Sequence, residues 1–295
     1  MKVLLAGASG PIGRAVRDAL RADGHHTRAL VRHAPTGSEE YEWHPADGQV
    51  PIEAIEWADG VVSLSGASLG RLPWTRAYRR EIYHSRVSAT RTLALAIAAT
   101  PRRPRVWVSG SATGYYGDRP GELLTEESGP GEGFLAGVVK RWEAATAAAD
   151  DVTRVVHART GVVMTEGGAL GPLALATRLG AGASIGSGGH LLPWISLEDE
   201  ARAIVHLLAA SSLSGPVNLT GPVPATWDDL TRSLARELHR PHLLRLPAPF
   251  LRLVMGEVAE EMLLPDQRVV PARLEADGFT FRRRTVQEAV AAAFG

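Results

Sequence analysis

Residues 3–31 read VLLAGASGPIGRAVRDALRADGHHTRALV. Within this stretch, residues 3–6 form a short apolar run typical of a buried strand, Pro11–Ala22 has a helical pattern, and His26–Val31 is typical of a second strand. A strand, a helix and a strand in this order form the unit from which parallel sheets are built. The stretch therefore predicts an α/β protein with a doubly wound parallel sheet.

The same alternation extends through the first half of the chain. It predicts strands and helices in turn at residues 60–64, 74–99, 105–109, 134–149 and 154–158. Glycine is then frequent across residues 161–189, which favours loops and short elements around a cleft. The remaining sequence predicts helices and strands at 198–209, 216–219, 227–238, 249–264, 268–270 and 286–294.

We expect these elements to form two domains. A main domain spans residues 1–245, with substrate-side insertions mainly at 165–193 and after residue 220. A small C-terminal α/β domain spans residues 246–295.

The composition excludes several classes of protein. The 295 residues contain no cysteine, so disulfides, cysteine-ligated zinc, iron–sulfur clusters and thiol nucleophiles are absent. The 32 basic residues balance 32 acidic residues, which gives no general electrostatic reason to bind nucleic acid or an anionic membrane, and we expect neither partner. The apolar run at the start is too short for a signal peptide or a spanning helix, which predicts a cytoplasmic protein. The histidines have no metal-binding spacing, so no metal is expected.

Three glycines lie between the first predicted strand and helix. At Gly7, Gly10 and Gly13, small residues permit a tight turn, close approach of the backbone to phosphates, and close packing of helix on strand. The helix N-terminus adds N–H donors for an anion. A purely structural turn is the alternative, but this context favours a dinucleotide site contacted by Gly7, Ser9, Gly10, Pro11, Ile12 and Gly13.

The end of the second strand indicates which dinucleotide would bind. An NAD site has an acidic residue about 20 positions beyond the glycines, to accept the ribose 2′-hydroxyl. Here Arg32 follows the strand, and a guanidinium suits a 2′-phosphate by charge and by geometry. The sequence therefore predicts NADP(H) in preference to NAD(H), although Arg32 could also be one more solvated arginine.

The sequence also carries a series of motifs along almost its whole length. They are the three glycines, Leu64-Ser-Gly-Ala67, Trp74-Thr75, Ser85-Arg86-Val87, Ser111-Ala-Thr-Gly-Tyr115-Tyr116-Gly117, Phe134-Leu135, Trp142-Glu143, Arg159-Thr-Gly161, Gly167-Gly168, Trp194-Ile195 and Gly256-Glu257-Val-Ala259-Glu260. In these residues the chain resembles the extended short-chain dehydrogenase/reductase superfamily. The branch it resembles is the atypical NAD(P)-dependent epimerase/dehydratase-like one, which has a Rossmann fold and a small C-terminal domain. The resemblance implies further cofactor contacts from Leu64, Gly66, Arg86 and Ser109.

The usual catalytic pair of this superfamily is missing. A Tyr transfers the proton there, and a Lys four residues later lowers the phenol pKa and holds the nicotinamide ribose. When Glu143 is matched to the Glu that follows that Lys, Val139 occupies the Lys position and Leu135 the Tyr position. The chain has only two lysines: Lys140 is rotated by about 100° from Val139 on a helix, and Lys2 precedes the first strand.

Because the Tyr–Lys pair is missing, the candidate catalytic residues implied by the resemblance are others. Ser111 matches the Ser that polarises a substrate carbonyl or alcohol, and Arg86 fits an arginine that replaces a helix Asn in the atypical branch. A guanidinium there could orient phosphate or ribose, or lower the pKa of a nearby phenol. Tyr115 and Tyr116 are the nearest phenols, although either could simply pack beneath the cofactor.

Three residues are candidates for binding a substrate. Arg159 ends a strand in the region where doubly wound sheets bind ligands, and could hold an anionic group. His190 and Trp194 are expected to border the pocket, with contact or packing roles. The chain departs from the family pattern at Ser196, where a His is usual.

Two functions remain open from the sequence. The first is an NADP-dependent oxidoreductase or epimerase-like enzyme acting on an unidentified small molecule, such as a sugar nucleotide or a carbonyl compound. The second is a non-catalytic NADP-binding sensor or regulatory protein, which the loss of the Tyr–Lys pair favours. The helices at 74–99 and 134–149 could pair two subunits, as they do in the family that the chain resembles, so a homodimer is possible and the oligomeric state stays open.

Overall fold

A computed structural model describes residues 1–167, 170–209 and 212–295. The strands in these ranges are β1 (Lys2–Ala6), β2 (His26–Val31), β3 (Glu40–Glu42), β4 (Gly60–Ser63), β5 (Val106–Ala112), β6 (Leu123–Leu124), β7 (Arg154–Thr160), β8 (Val162–Met164), β9 (Gly182–Ile185), β10 (Leu191–Leu192), β11 (Trp194–Ser196), β12 (Gly215–Leu219), β13 (Ala225–Thr226), β14 (His242–Leu246) and β15 (Arg268–Val269). The α-helices are α1 (Pro11–Ala22), α2 (Ile52–Trp57), α3 (Arg76–Ala99), α4 (Phe134–Ala144), α5 (Gly171–Arg178), α6 (Leu197–Leu208), α7 (Trp227–Glu237), α8 (Ala248–Met255), α9 (Ala272–Ala276) and α10 (Val286–Phe294).

One parallel sheet forms the centre of the molecule. Its seven strands lie in the order β12-β7-β5-β4-β1-β2-β3, and every neighbouring pair is parallel. The chain order reverses between β1 and β4, so the switch point, where such sheets bind ligands, lies at their carboxyl ends. The prediction of a doubly wound, Rossmann-like α/β fold is confirmed.

The sheet is covered on both faces because its strands are apolar on both faces. Val3 and Leu5 of β1 belong to an apolar cluster that contains buried residues of α1 and α6. Leu4 and Ala6 point to the opposite face and join a cluster with residues of α2 and α3. The alternation of side chains along a strand thus connects one short sequence to both cores.

The second half of the chain adds a smaller α/β region. It contains two-stranded pairs, such as β8 with β11 and β9 with β14, around a third apolar cluster that includes Trp194, Trp227 and Leu234. The helical stretch predicted at 249–264 is interrupted, because α8 ends at Met255, Gly256 has a positive φ of 55°, and a π-helical turn follows at Ala259–Leu263. No helix within the described ranges is long and apolar enough to cross a membrane.

A buried carboxylate holds the C-terminal segment to α6. Asp199 has no exposed surface, and its two oxygens accept the backbone N–H groups of Arg282 and Arg283, each at 2.9 Å. Ser196 caps the same helix by accepting the N–H of Asp199. The segment that begins at Arg282 is therefore tied to the main sheet through α6.

Candidate cofactor and active site

The glycine loop after β1 is shaped by two close contacts and one opening. A Cβ on Gly7, whose φ is +87°, would lie 2.8 Å from the carbonyl carbon of Leu64, and a Cβ on Gly13 would overlap the carbonyl oxygen of Gly7. A Cβ on Gly10 would meet only that oxygen, at an ordinary 3.5 Å. Gly7 and Gly13 thus pack the chain on itself, while Gly10 leaves space of the kind a pyrophosphate needs.

The start of α1 suits an anion. Pro11 is its first residue, and no acidic side chain lies in the first turn. The Ser9 side chain is exposed beside it, and Arg14 donates a hydrogen bond to the carbonyl of Ser9. Ile12 packs against the core and fixes the helix on the sheet. These residues fit the pyrophosphate of a dinucleotide.

Arg32 lies directly after β2 with its side chain exposed. Within the described residues it has no hydrogen-bond or ion-pair partner, in contrast to Arg21, which pairs with Glu39 at 2.6 Å. A solvated, unpaired guanidinium at this edge is available to an incoming phosphate.

Arg86 places a second cation at the same edge. Its guanidinium donates to the carbonyl of Ala67 at 3.1 Å and to that of Ile82 at 3.2 Å, and a Cβ on Gly66 would lie only 2.9 Å from its Cζ. No carboxylate pairs with it in the described part of the chain. Burial lowers the pKa of Arg86 to about 10, which leaves it cationic at neutral pH.

Residues 64–67 connect this cation to the glycine loop. The N–H of Leu64 donates to the carbonyl of Ala6 at 2.8 Å, and the N–H of Ala67 donates to the Ser85 hydroxyl at 2.9 Å. Ser109, by contrast, is fully buried within β5. The segment from Leu64 to Gly66 therefore lies between the loop and Arg86, whereas any contact of the Ser109 side chain with a cofactor would require it to become accessible.

A buried polar network begins at Ser111. Its hydroxyl donates to Oε1 of Glu143 at 2.6 Å. Arg159, only 3% exposed, makes a bidentate pair with the same carboxylate, at 2.8 Å from Nε and 2.9 Å from Nη2. Burial alone would lower the pKa of Arg159, but its bonds to Glu143 raise it above its ordinary value. The cation predicted for a substrate anion is therefore already paired inside the protein.

The two tyrosines have different environments. Tyr116 is fully buried, donates to Oδ1 of Asn218 at 2.7 Å and accepts from Arg159 at 3.0 Å, and burial raises its phenol pKa. Tyr115 is half-buried, its ring lies 3.6 Å from Cζ of Arg159, and its hydroxyl has no hydrogen-bond partner among the described residues. Tyr115 is thus the phenol with an uncommitted hydroxyl.

The helix that would carry the usual Tyr–Lys pair carries apolar residues instead. Leu135 and Val139 are buried on α4, whereas Lys140 is exposed, as the rotation along the helix predicts. Lys2 lies at the amino end of β1, with its Nζ 6.0 Å from the ring of Trp57. Both lysines are therefore placed away from the predicted catalytic position.

The C-terminal region reaches the same helix. Glu261 caps α4 by accepting the backbone N–H groups of Phe134 at 2.7 Å and Leu135 at 2.9 Å. The structure also reveals Glu126, whose carboxylate accepts the N–H of Asn218 at 3.0 Å. Asn218 had a sequence signal, because it is a polar residue inside an apolar strand, but neither glutamate lies in a pattern that predicts its partner.

A further carboxyl group lies beneath the edge of the sheet. Glu200 on α6 has no exposed surface, and its Oε1 accepts from the Thr160 hydroxyl at 2.7 Å. Its Oε2 has no hydrogen-bond partner in the described ranges. Burial raises the pKa of Glu200 to about 8, so it is largely protonated at neutral pH.

The remaining predicted residues lie in packed positions. Trp194 is 1% exposed and donates to the carbonyl of Val223 at 2.9 Å. His190 is almost buried, with Nε2 at 2.7 Å from the carbonyl oxygen of Leu263. Both side chains are therefore packed inside the protein and contact backbone carbonyls. Across the described residues, no group of three or more metal-ligating side chains could hold a metal ion.

Comparison with known proteins agrees with this architecture. The model of the NAD dependent epimerase/dehydratase family matches residues 3–219. The chain belongs to this family. Its C-terminal part, residues 246–293, matches a domain of unknown function (DUF1731), and together the two matches place the chain in the atypical short-chain dehydrogenase/reductase branch.

Epimerase family relatives extend over nearly the whole chain. Epimerase family protein ML0860 of Mycobacterium leprae is 40% identical over 98% of this chain and 94% of its own length. Epimerase family protein SDR39U1 of Homo sapiens is 33% identical over 95% of both chains.

Solved structures show the same fold. The crystal structure of human SDR39U1 (isoform2) with NADPH has a TM-score of 0.90 at 32% identity, covering 99% of this chain and 98% of that one. Thermus thermophilus UDP-glucose 4-epimerase with NAD has a TM-score of 0.76 at 17% identity, covering 99% of this chain and 97% of that one, which is a likeness of fold alone.

Proposed function

We propose that the protein is an NADP(H)-dependent oxidoreductase of the epimerase family that acts on a small molecule, with a sugar nucleotide or a carbonyl compound as the candidate substrate. The observation that carries the proposal is the pair of arginines at the carboxyl edge of the sheet. Arg32 is exposed and unpaired, and Arg86 bonds only to carbonyls among the described residues. Two uncompensated cations beside an open glycine loop suit a phosphate-rich dinucleotide.

The preference for NADP(H) rests on Arg32. It follows β2 at the position where an NAD site has a carboxylate, and a 2′-phosphate would give it the partner it lacks. The structure of human SDR39U1 with NADPH supports the same choice. Arg86 would hold phosphate or ribose at the other end of the loop.

Ser111 and Tyr115 are the side chains we assign to substrate. When bound, the nicotinamide supplies or accepts the hydride. The Ser111 hydroxyl donates its hydrogen bond to Glu143, so its lone pairs are free to accept a hydrogen bond from a substrate alcohol. Tyr115 has the uncommitted phenol for proton transfer, whereas Tyr116 is held by Asn218 and Arg159.

A non-catalytic NADP-binding sensor is the second candidate. The observation in its favour is that Leu135 and Val139 fill the Tyr and Lys positions and are both buried. Ser111 is also engaged within the protein rather than directed at a ligand. In that case the glycine loop, Arg32 and Arg86 would bind NADP(H), and the network around Ser111 would only support the fold.

The cofactor assignment is tested by titrating NADPH and NADH into the wild type and Arg32→Ala, with calorimetric detection. Loss of a charge-assisted hydrogen bond should weaken NADPH binding about 10- to 100-fold and leave NADH binding unchanged. Tighter binding of NADH than NADPH, together with no effect of Arg32→Ala, would refute the assignment.

Catalysis is tested separately by screening carbonyl compounds and sugar nucleotides for NADPH oxidation, with Ser111→Ala as the matched variant. The enzyme hypothesis predicts turnover that falls in Ser111→Ala while NADPH binding persists. Turnover that is equal in both proteins would remove Ser111 from the mechanism. NADPH binding without turnover across the screen would favour the sensor.

A further inference from the structure

The outer face of α8 is apolar, which is unusual for a surface helix. Phe250, Leu253 and Val254 follow the i, i+3, i+4 spacing that places side chains on one side of a helix, and all three are exposed. Leu253 is 84% exposed and Val254 is 65% exposed. Leu251 alone among the residues of α8 is fully buried and attaches the helix to the protein.

The preceding strand also carries exposed apolar side chains. Leu243 and Leu244 of β14 are exposed, Leu243 to 84%. We call these five side chains the C-terminal apolar face: Leu243, Leu244, Phe250, Leu253 and Val254. Five exposed apolar side chains within residues 243–254 favour an interaction site, unlike single exposed leucines scattered over a surface.

The segment that carries these side chains contains only positive charges. Residues 238–256 contain Arg240, Arg245 and Arg252 and no acidic residue. Arg252 pairs with Glu260, but Arg240 and Arg245 bond only to backbone carbonyls among the described residues, at 2.8 Å to Arg178 and 3.1 Å to Ser187. Two positive charges beside the apolar face therefore remain uncompensated.

We propose that the C-terminal apolar face docks the protein on an anionic lipid surface. Arginines would contact the headgroups while the leucines, phenylalanine and valine enter the acyl boundary, which is the arrangement of interfacial helices. Side chains as exposed as Leu243 and Leu253 project from the surface, as insertion requires, whereas a groove for a protein helix would enclose them. The neutral net charge led us to expect no membrane partner, but it averages over this local basic face.

A second copy of the chain fits this face less well. A twofold interface places a patch against its own copy, so Arg240 and Arg245 of one subunit would meet the same residues of the other. Like charges in a desolvated interface oppose association. Charge complementarity therefore favours an anionic partner.

The test is flotation of the full-length protein with two kinds of vesicle. One contains phosphatidylcholine alone, and the other also contains roughly 30% phosphatidylglycerol, which gives the surface a negative charge. The wild type should float with anionic vesicles and much less with neutral ones. The double variant Leu253→Ser with Val254→Ser should bind the anionic vesicles at least about tenfold more weakly than the wild type. Arg245→Gln should bind them about fivefold more weakly. Leu95→Ser on α3, where Leu95 is 52% exposed, is the matched control and should float like the wild type.

Folding and self-association are measured on the same samples. Circular dichroism and thermal unfolding should not change in the double variant, since both side chains are largely exposed. The proposal is overturned if the wild type ignores anionic vesicles, or if the double variant floats as well as the wild type. A dimer that dissociates in the double variant, with no vesicle binding by the wild type, would assign the face to a second copy instead.

Discussion

The two ends of the candidate site differ in what their polar groups already contact. At the glycine loop, Arg32 and Arg86 carry charges that no carboxylate in the described ranges neutralises. At the ends of β5 and β7, Ser111, Glu143 and Arg159 bond to one another inside the protein. The first arrangement is open to a ligand, and the second supports itself. The proposed nucleotide binding and the proposed catalysis can therefore be tested separately.

Glu143→Ala should have the largest effect on the difference between the two ends of the site, because it removes the centre of the self-supporting network. This change leaves Arg159 buried without a counter-charge, so we expect a loss of about 3–5 kcal/mol in the free energy of unfolding. Urea unfolding measures it. Glu166→Ala, which removes an exposed pair with Arg178, is the control and should cost less than about 1 kcal/mol. Equal losses in the two variants would show that the network around Ser111 does not support the fold.

A second prediction concerns the buried carboxyl group of Glu200. Its folded-state pKa of about 8 lies above the value of about 4.5 that it has when solvated, so the folded state keeps a proton that the unfolded state releases. The stability it contributes is complete below about pH 4.5 and is lost as the pH rises towards 8, at up to about 1.4 kcal/mol per pH unit.

Glu200→Gln should remove this dependence. The variant should gain stability relative to the wild type between pH 5 and pH 8 in urea unfolding, because its side chain does not ionise. Glu198→Gln, two residues earlier and partly exposed, is the control. Parallel stability profiles for Glu200→Gln and the wild type would mean that Glu200 is ionised in the folded protein.

The smallest expected change in stability comes from removing the hydroxyl of either adjacent tyrosine, and the two variants should differ. Tyr116→Phe removes a buried hydrogen bond and leaves Oδ1 of Asn218 without its donor, which should cost about 1–3 kcal/mol. Tyr115→Phe should change stability by less than about 0.5 kcal/mol, since its hydroxyl has no hydrogen-bond partner among the described residues. Thermal unfolding compares them. If Tyr115→Phe lost more stability than Tyr116→Phe, the Tyr115 hydroxyl would be the structural one. Tyr116 would then replace Tyr115 as the candidate for proton transfer.

The parts of the structure that local sequence determines were predicted well. The strand, glycine loop and helix from Lys2 to Ala22 follow from apolar spacing and from where glycine and proline stand. The break in the helical stretch 249–264 was not predicted, because the apolar pattern continues through Gly256, where the backbone turns to positive φ. The short helix α5 was missed because glycine and proline surround it.

The network around Ser111 could not be predicted, because its members meet only in the folded sheet. The β5–β7 register places Ser111 beside Arg159, although they are far apart in sequence, and Glu143 reaches both from α4. The sequence supplied Arg159 as a cation and Glu143 as a motif position, but not their pairing. Contacts of this kind depend on register and helix placement rather than on local pattern.

The bond between Asp199 and the C-terminal segment has a consequence for how the protein is made. During synthesis, α6 emerges long before Arg282 and Arg283, whose N–H groups satisfy the buried Asp199 carboxylate. Until those residues leave the ribosome, the Asp199 carboxylate has only Arg202 and the Ser196 hydroxyl as side-chain partners, each at 2.9 Å. If α6 closed on the sheet before that point, two hydrogen bonds of a buried carboxylate would be unmade. The segment around Arg282 and Arg283 therefore completes the packing of α6 late in synthesis.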